Sequence, residues 1–304
     1  MNLAEIARKI LPAHVVSSVV RTRKRLKRSR INRLPQLTEI EFTNILTNRL
    51  GIGPGDVVYM HSSADGLNLS FPFFRVLPIV RKVIADEGTL LFPTYPNRSP
   101  VSSYEYLRAG NVFDVKRTPS YTGILTEFGR RNPQAIRSVH PTKSVCAIGP
   151  LAEELTATHQ RSPYPYDLLS PYRKLVECDA KIVGIGVWTE YLSFVYCIDD
   201  ALQSNPPVKT YHPEIFRAKC VNYRGEEEIV ETYAHDMSRC IHDIPSFMKN
   251  NIPAEICEDI TVNGMKFFRA DARKLFDLML RLAERGITVY PRSVYSEKFQ
   301  PKKE

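Results

Sequence analysis

A layered α/β fold with a central, mostly parallel sheet flanked by helices is what this sequence predicts, on three observations. Val57-Val58-Tyr59-Met60 and Thr89-Leu90-Leu91-Phe92-Pro93 are short, continuous apolar runs with β-branched and aromatic residues, as strands buried on both faces require. Between them, residues 74–85 carry apolar side chains at helical spacing despite Pro78. Strand, helix and strand in that order make a crossover unit, which sets the two strands parallel in one sheet.

The other elements follow along the chain. Thr38, with Glu41 three residues later, is a capping-box signature ahead of an apolar pattern that continues to Leu50, and the glycines at 51, 53 and 55 end that helix. The polar, aromatic-rich stretch 95–121 is longer than a simple connector, and loops of that length in compact domains tend to line sites. A helix is expected over 123–131, a strand over 144–148 and a buried strand over 181–187. Ser193 is positioned to cap a helix running to about Gln203. Beyond it the pattern predicts strands near 218–222 and 228–230, helices over 233–249 and 270–285, and a last strand over 287–290. Residues 36–304 then form one domain, with Asn205-Pro206-Pro207 as a candidate subdomain seam.

Composition narrows the class. A chain of 304 residues with 43% apolar and 25% charged side chains has ample material for a core. Six cysteines without metal-like or paired spacing read as reduced thiols of a cytoplasmic protein. The apolar runs fall short of the ~20 residues of a membrane span, and the N-terminal residues lack a signal-peptide core. The net charge of +9 is local: Arg21, Arg23, Lys24, Arg25, Lys27, Arg28, Arg30 and Arg33 have no acid among them, and without these eight the remainder carries +1. Residues 1–35 thus form a basic N-terminal segment. With Val15, Val16, Val19 and Val20 at roughly helical spacing, residues 15–33 suit an amphipathic helix on an anionic surface such as the inner membrane; a solvated tail, or a helix packed on the domain, suits them too. Nucleic acid is not expected as a partner, because the basic run has neither aromatics for stacking nor a known motif.

The residues that carry chemistry collect at strand ends and in loops, where open α/β sheets bind ligands. They are His61-Ser62-Ser63 after the first strand, the Gly88-Thr89-Leu90 strand, Thr118-Pro119-Ser120, the segment Arg137-Ser138-Val139-His140-Pro141-Thr142-Lys143-Ser144, and His159 with Ser170-Pro171. In this order and spacing, over about residues 50–200, they resemble the aminoglycoside 3-N-acetyltransferase family. The resemblance implies that family's α/β fold, unlike the GNAT acetyltransferases, with acetyl-CoA as co-substrate and direct transfer of the acetyl group to an amine. No metal is implied. Such a reaction needs a groove for the pantetheine arm, donors for the thioester oxyanion and a group to take the amine proton. The hydroxyls of Ser62, Ser63, Thr118 and Ser144 suit the first two roles; each also suits a cap or turn. His61 and His140 can reach substrate or simply tie loops together.

One part of the family pattern departs. Where relatives carry Thr-x-x-His-x-x-Glu, with histidine as base and glutamate orienting it, this chain reads Ser193-Phe194-Val195-Tyr196-Cys197-Ile198-Asp199. The spacing is kept and Tyr196 and Asp199 take the two positions, but a phenol of pKa near ~10 is no ordinary base at neutral pH. Three readings stay open: an acceptor amine already neutral, a base supplied by His61 or His140, or a homologue that binds CoA or a partner without turnover. Charge bears on the acceptor as well. The loop over 95–117 sets Glu105 and Asp114 against Arg98, Arg108, Lys116 and Arg117, a balance that suits an anionic amino sugar, nucleotide- or lipid-diphosphate-linked, better than a polycation. Gly184-Ile185-Gly186 lacks the rest of a dinucleotide fingerprint. His235, Asp236, His242 and Asp243 fall on one expected helix, where a solvated face is the expected role, and Cys197 is expected to pack rather than attack.

Overall fold

The structure, a computed structural model, describes residues 22, 25, 26 and 28–291. Helix α1 (Glu39–Asn44) starts as the capping box requires: the Thr38 hydroxyl accepts the Glu41 N–H, and the Glu41 carboxylate accepts the Thr38 N–H at 2.8 Å. A π-helical turn, Ile45–Arg49, continues it. The predicted crossover unit is β1 (Val57–Ser62), α2 (Val76–Ile84) and β2 (Thr89–Pro93), with Val57 opposite Thr89 in parallel register. The long loop after β2 holds α3 (Ser103–Arg108) and β3 (Phe113–Asp114). Then come α4 (Ile124–Arg130), β4 (Ile136–Arg137), β5 (Val145–Ile148), α5 (Ala152–Thr156), α6 (Pro171–Glu177), β6 (Lys181–Ile185) and α7 (Cys197–Ala201). The C-terminal part is β7 (Tyr211–Val221), β8 (Glu227–His235), α8 (Ile244–Asn251), β9 (Cys257–Val262), β10 (Met265–Asp271) and α9 (Ala272–Glu284).

Seven strands form the main sheet in the order β4-β5-β2-β1-β6-β10-β9. Its core of β2, β1 and β6 is parallel, and the strands on either side add antiparallel pairs. Both faces are covered, and the strand period of two divides the side chains between them. Val57, Tyr59, Leu91 and Ile182 point into a core with Tyr172, Leu175, Leu275 and Phe276 of α6 and α9. Val58, Met60, Leu90 and Phe92 point the other way, onto Phe42, Leu46, Val76 and Val80.

The C-terminal third departs from the sequence expectation. The helix expected over 233–249 is a strand up to His235 and a helix only from Ile244. Val230, Thr232 and Ala234 alternate with exposed or half-buried neighbours, and pairing with β7 fixes that alternation as strand. Residues 287–290 form no strand; Tyr290 packs in the core instead. The β9–β10 hairpin was not expected, although Asn263 and Gly264, both at positive φ, are the turn that builds it. Ser193 does not cap: it lies within a 3₁₀ turn, Ser193–Tyr196, that leads into α7.

Residue 205 is where the chain leaves for a second, three-stranded sheet of β3, β7 and β8, after which β9, β10 and α9 return to the main sheet. Residues 15–20, with their apolar stripe, lie outside the described residues. The described part of the basic segment is fastened to the domain: Arg28 donates to the carbonyls of Leu67 (3.0 Å) and Ala64 (3.3 Å), and Asn68 donates to that of Leu34 (2.7 Å). Among the described residues no helix is long and apolar enough to cross a membrane.

Candidate active site

Two adjoining cavities open on one side of the molecule, sharing Tyr95, Tyr191 and Ser193 as common wall. The larger, about 630 Å³, lies at the C-terminal ends of parallel strands β1 and β2 and is lined by His61, Ser62, Ser63, Pro93, Thr122 and Gly123. Its position follows from topology, since the chain leaves the sheet on either side of this point and the strand ends are left uncovered. Two buried polar atoms at its walls, Ser62 Oγ and His61 Nε2, have no hydrogen-bond partner among the described residues, and the Ser193 hydroxyl stands beside the phenols of Tyr59 and Tyr95. Unsatisfied groups of this kind are uncommon in folded chains and suit a bound polar ligand. Burial holds the His61 imidazole down to about 3, so it is neutral and edge-on to Tyr59, with ring centroids 4.9 Å apart.

The smaller cavity, about 200 Å³, is largely aromatic: beside the shared residues stand Tyr166, Tyr196, His235 and His242, with Lys143 and Glu190. Tyr196 reaches it from the 3₁₀ turn before α7. Its ring lies 4.9 Å from His235, 5.4 Å from Tyr166 and 5.9 Å from His242, centroid to centroid. Burial pushes its phenol above the ordinary range, so it keeps its proton at neutral pH. The Lys143 ammonium sits 4.9 Å over the Tyr95 ring, and burial lowers it to about 8.

Asp199 lines neither cavity. Its carboxylate accepts the Tyr290 hydroxyl, no hydrogen bond joins it to Tyr196, and burial pushes it up to about 7. Sequence spacing kept the two residues three apart, but the 3₁₀ turn ends between them and their side chains diverge into different surroundings.

The predicted site residues therefore separate. Ser62 and Ser63 line the larger cavity and Tyr196 the smaller. His140, Thr118 and Ser144 line neither of these two cavities. His140 is fully buried; its Nδ1 accepts the Lys143 N–H at 3.0 Å, Nε2 faces the Thr232 hydroxyl at 3.3 Å, and its ring stacks on His159 at 4.3 Å. Thr118 and Ser144 serve Arg137, which is 1% exposed. Its Nη1 donates to the Thr118 carbonyl (2.6 Å), Nε to the Ser144 hydroxyl (3.1 Å) and the Thr94 hydroxyl (3.2 Å), and Nη2 to the Thr94 carbonyl. The Arg-Ser-x-His-Pro segment is thus a staple that fastens the loop beneath the cavities. Tyr95 and Tyr191 also line the cavities; the loop 95–121 gave a signal for Tyr95 and none marked Tyr191. Lys143, His235 and His242 were singled out in the sequence, but the two histidines were expected on a solvated helix face and instead line the smaller cavity.

The family model described as aminoglycoside 3-N-acetyltransferase matches residues 61–284. Aminoglycoside N(3)-acetyltransferase VII of Streptomyces paromomycinus is 31% identical over 162 residues, which are 48% of this chain and 55% of that protein. The chain thus spans about half the length of the curated relatives it matches. Among solved structures, aminoglycoside acetyltransferase AAC(3)-Xa superposes with a TM-score of 0.69 at 20% identity, covering 89% of this chain and 99% of that one. The AAC-IIIb binary with CoASH gives 0.67 at 18% identity, covering 84% and 100%. With three quarters of its length matched and the fold shared, the chain belongs to the aminoglycoside 3-N-acetyltransferase family.

Proposed function

We propose that this protein transfers an acetyl group from acetyl-CoA to the amine of an amino sugar, and that the acceptor is an uncharged or anionic sugar rather than a polycationic aminoglycoside. The observation that carries the reading is the pair of cavities with a shared wall, where the buried hydroxyl of Ser62 stands without a partner among the described residues. The larger cavity has room for a pantetheine arm. In this reading Ser62, Ser63 and Ser193 supply hydroxyl donors to the donor's polar groups and to the oxygen that gains charge as the thioester is attacked. The amine nitrogen bonds to the acetyl carbon, the carbon–sulfur bond breaks, CoA leaves as the thiol, and the amine gives up a proton. A smaller cavity walled by four tyrosines and two histidines suits the flat, hydroxylated face of a sugar. Its ionic side chains are one lysine and one glutamate, so it lacks the acidic lining that a polycation would select.

Release of free thiol from acetyl-CoA, followed with a UDP-linked amino sugar and with sisomicin, tests this directly. The proposal expects turnover with the former at a kcat/KM at least tenfold above the latter; the reverse order would remove the acceptor assignment and leave the acetyl transfer. Tyr196 in place of the family histidine favours a second reading, binding of CoA without turnover. CoA binding in calorimetry with no thiol released by either amine would be its signature. The basic segment supports a further element of the proposal, contact with an anionic membrane surface, where a lipid-linked acceptor would lie.

A further inference from the structure

We propose that His242, on the turn between β8 and α8, takes the proton from the attacking amine and so replaces the base that the family carries at the position of Tyr196. The inference rests on the acetyl transfer proposed above. Tyr196 retains its proton, which leaves the nitrogen bases that line the acceptor cavity with it: Lys143, His235 and His242. Lys143, although burial lowers it to about 8, is still mainly the cation at neutral pH and is held over the Tyr95 ring. His235 is 4% exposed, and burial holds its imidazole far below the ordinary range, so it is neutral and a poor proton acceptor. His242 differs in geometry. It is half-buried at the cavity wall, and its Nδ1 lies 2.7 Å from the Cys240 carbonyl oxygen. A carbonyl can only accept, so Nδ1 carries a hydrogen, and in the neutral ring the lone pair then lies on Nε2, the tautomer a base requires. The Tyr196 ring stands at 82° to it.

The other ionisable groups around His242 are accounted for. Lys143, Glu190, Tyr196 and His235 share the cavity, and Cys240 lies in the same turn with its thiol donated to the Thr210 carbonyl. Asp243, next in the chain, is engaged at the start of α8, where its carboxylate accepts the Ser246 N–H at 3.1 Å. In the step, the nitrogen–carbon bond forms, the carbon–sulfur bond breaks, the amine proton passes to Nε2 of His242, and the departing thiolate takes up a proton in turn.

Two variants test the assignment in the full chain, with acetyl-CoA and the UDP-linked amino sugar or, if only that turns over, sisomicin. His242→Asn keeps a side-chain N–H for the Cys240 carbonyl and removes the base; His242→Ala leaves a space that imidazole from solution can enter. The proposal expects both to lower kcat by ~10²–10⁴ with the Kd for CoA within about threefold of the original, and added imidazole to restore His242→Ala by at least ~tenfold. A kcat within about threefold of the original in His242→Asn, or a loss in His242→Ala that imidazole does not relieve, overturns it. Absence of thiol release by the unaltered protein with either amine overturns the acetyl-transfer reading itself, a result distinct from the other two.

Discussion

Arg137 is a buried cation held by carbonyl and hydroxyl oxygens and seated over the Phe113 ring at 4.6 Å, with no ion pair among the described residues. Desolvation lowers it to about 10, yet it remains charged at neutral pH because so many dipoles face it. Arg137→Ala should cost about 3 kcal/mol, because the Thr118 carbonyl loses its donor inside the protein and the Thr94 carbonyl keeps only the Ser144 hydroxyl. Differential scanning fluorimetry should show a Tm lower by roughly 4–6 °C. Asp199 makes a pH-dependent contribution of the opposite kind. Its folded value of about 7 lies above the ordinary 3.8, so between roughly pH 4 and 7 the unfolded chain releases a proton that the folded chain keeps. Its contribution to stability therefore falls as pH rises through that window and is level above it, by at most about 4 kcal/mol. Denaturant melts of Asp199→Asn should show a flatter slope there; Asp200, also pushed up by burial, retains the remainder. None of this was visible in the sequence, which marked Arg137, Ser144 and Asp199 as noteworthy but could not say whether they face a ligand or the core.

At the scale of elements, the glycines of Gly184-Ile185-Gly186 are explained by closeness rather than by phosphate binding. A Cβ on Gly184 would stand 2.0 Å from the Phe268 ring, its partner in the antiparallel β6–β10 register. Gly186 backs onto Gly66: a Cβ on Gly66 would lie 2.0 Å from the Gly186 carbonyl oxygen, so the loops after β1 and β6 meet only because neither has a side chain there. Those loops carry Ser63 and Val187 of the larger cavity. Gly66→Ala should cost roughly 2 kcal/mol in chemical denaturation and weaken CoA binding at least fivefold in calorimetry, since the backbone beside Ser63 must shift. Unchanged affinity would detach this contact from the site. The βαβ core and α1 were legible because their signals are local: continuous apolar runs, helical spacing and a capping box. The β7–β8 hairpin was only half legible, since its edges alternate around exposed glutamates and lysines that read equally as a helix face.

Over the whole molecule, the candidate site belongs to two sheets. The main sheet supplies His61 and Ser62 from the ends of its parallel core, and β8 of the second sheet brings His235 alongside Tyr196. The charge is as uneven as the site is shared, with the eight cations at 21–33 against a nearly neutral remainder. Sedimentation with vesicles rich in phosphatidylserine should recover the full chain at low salt and lose it as ionic strength approaches about 0.5 M, where screening shortens electrostatic reach to a few ångströms. A chain lacking residues 1–27 keeps Arg28 and its contacts to the domain, and should stay in the supernatant at both salt concentrations.

By itself the sequence determined the family and the parallel core of the sheet, because motif spacing and apolar period are properties of neighbouring residues. The resemblance also leads to the expectation that Tyr196 and Asp199 stand where a base and its partner would be. Only the tertiary structure decided what became of them. The 3₁₀ turn parts the two, Asp199 goes to Tyr290, and His242, 46 positions beyond Tyr196 and on a different element, arrives at the same cavity with a fixed tautomer. Contacts between residues so far apart depend on how the sheets and loops close on one another, and no local pattern in the chain encodes them.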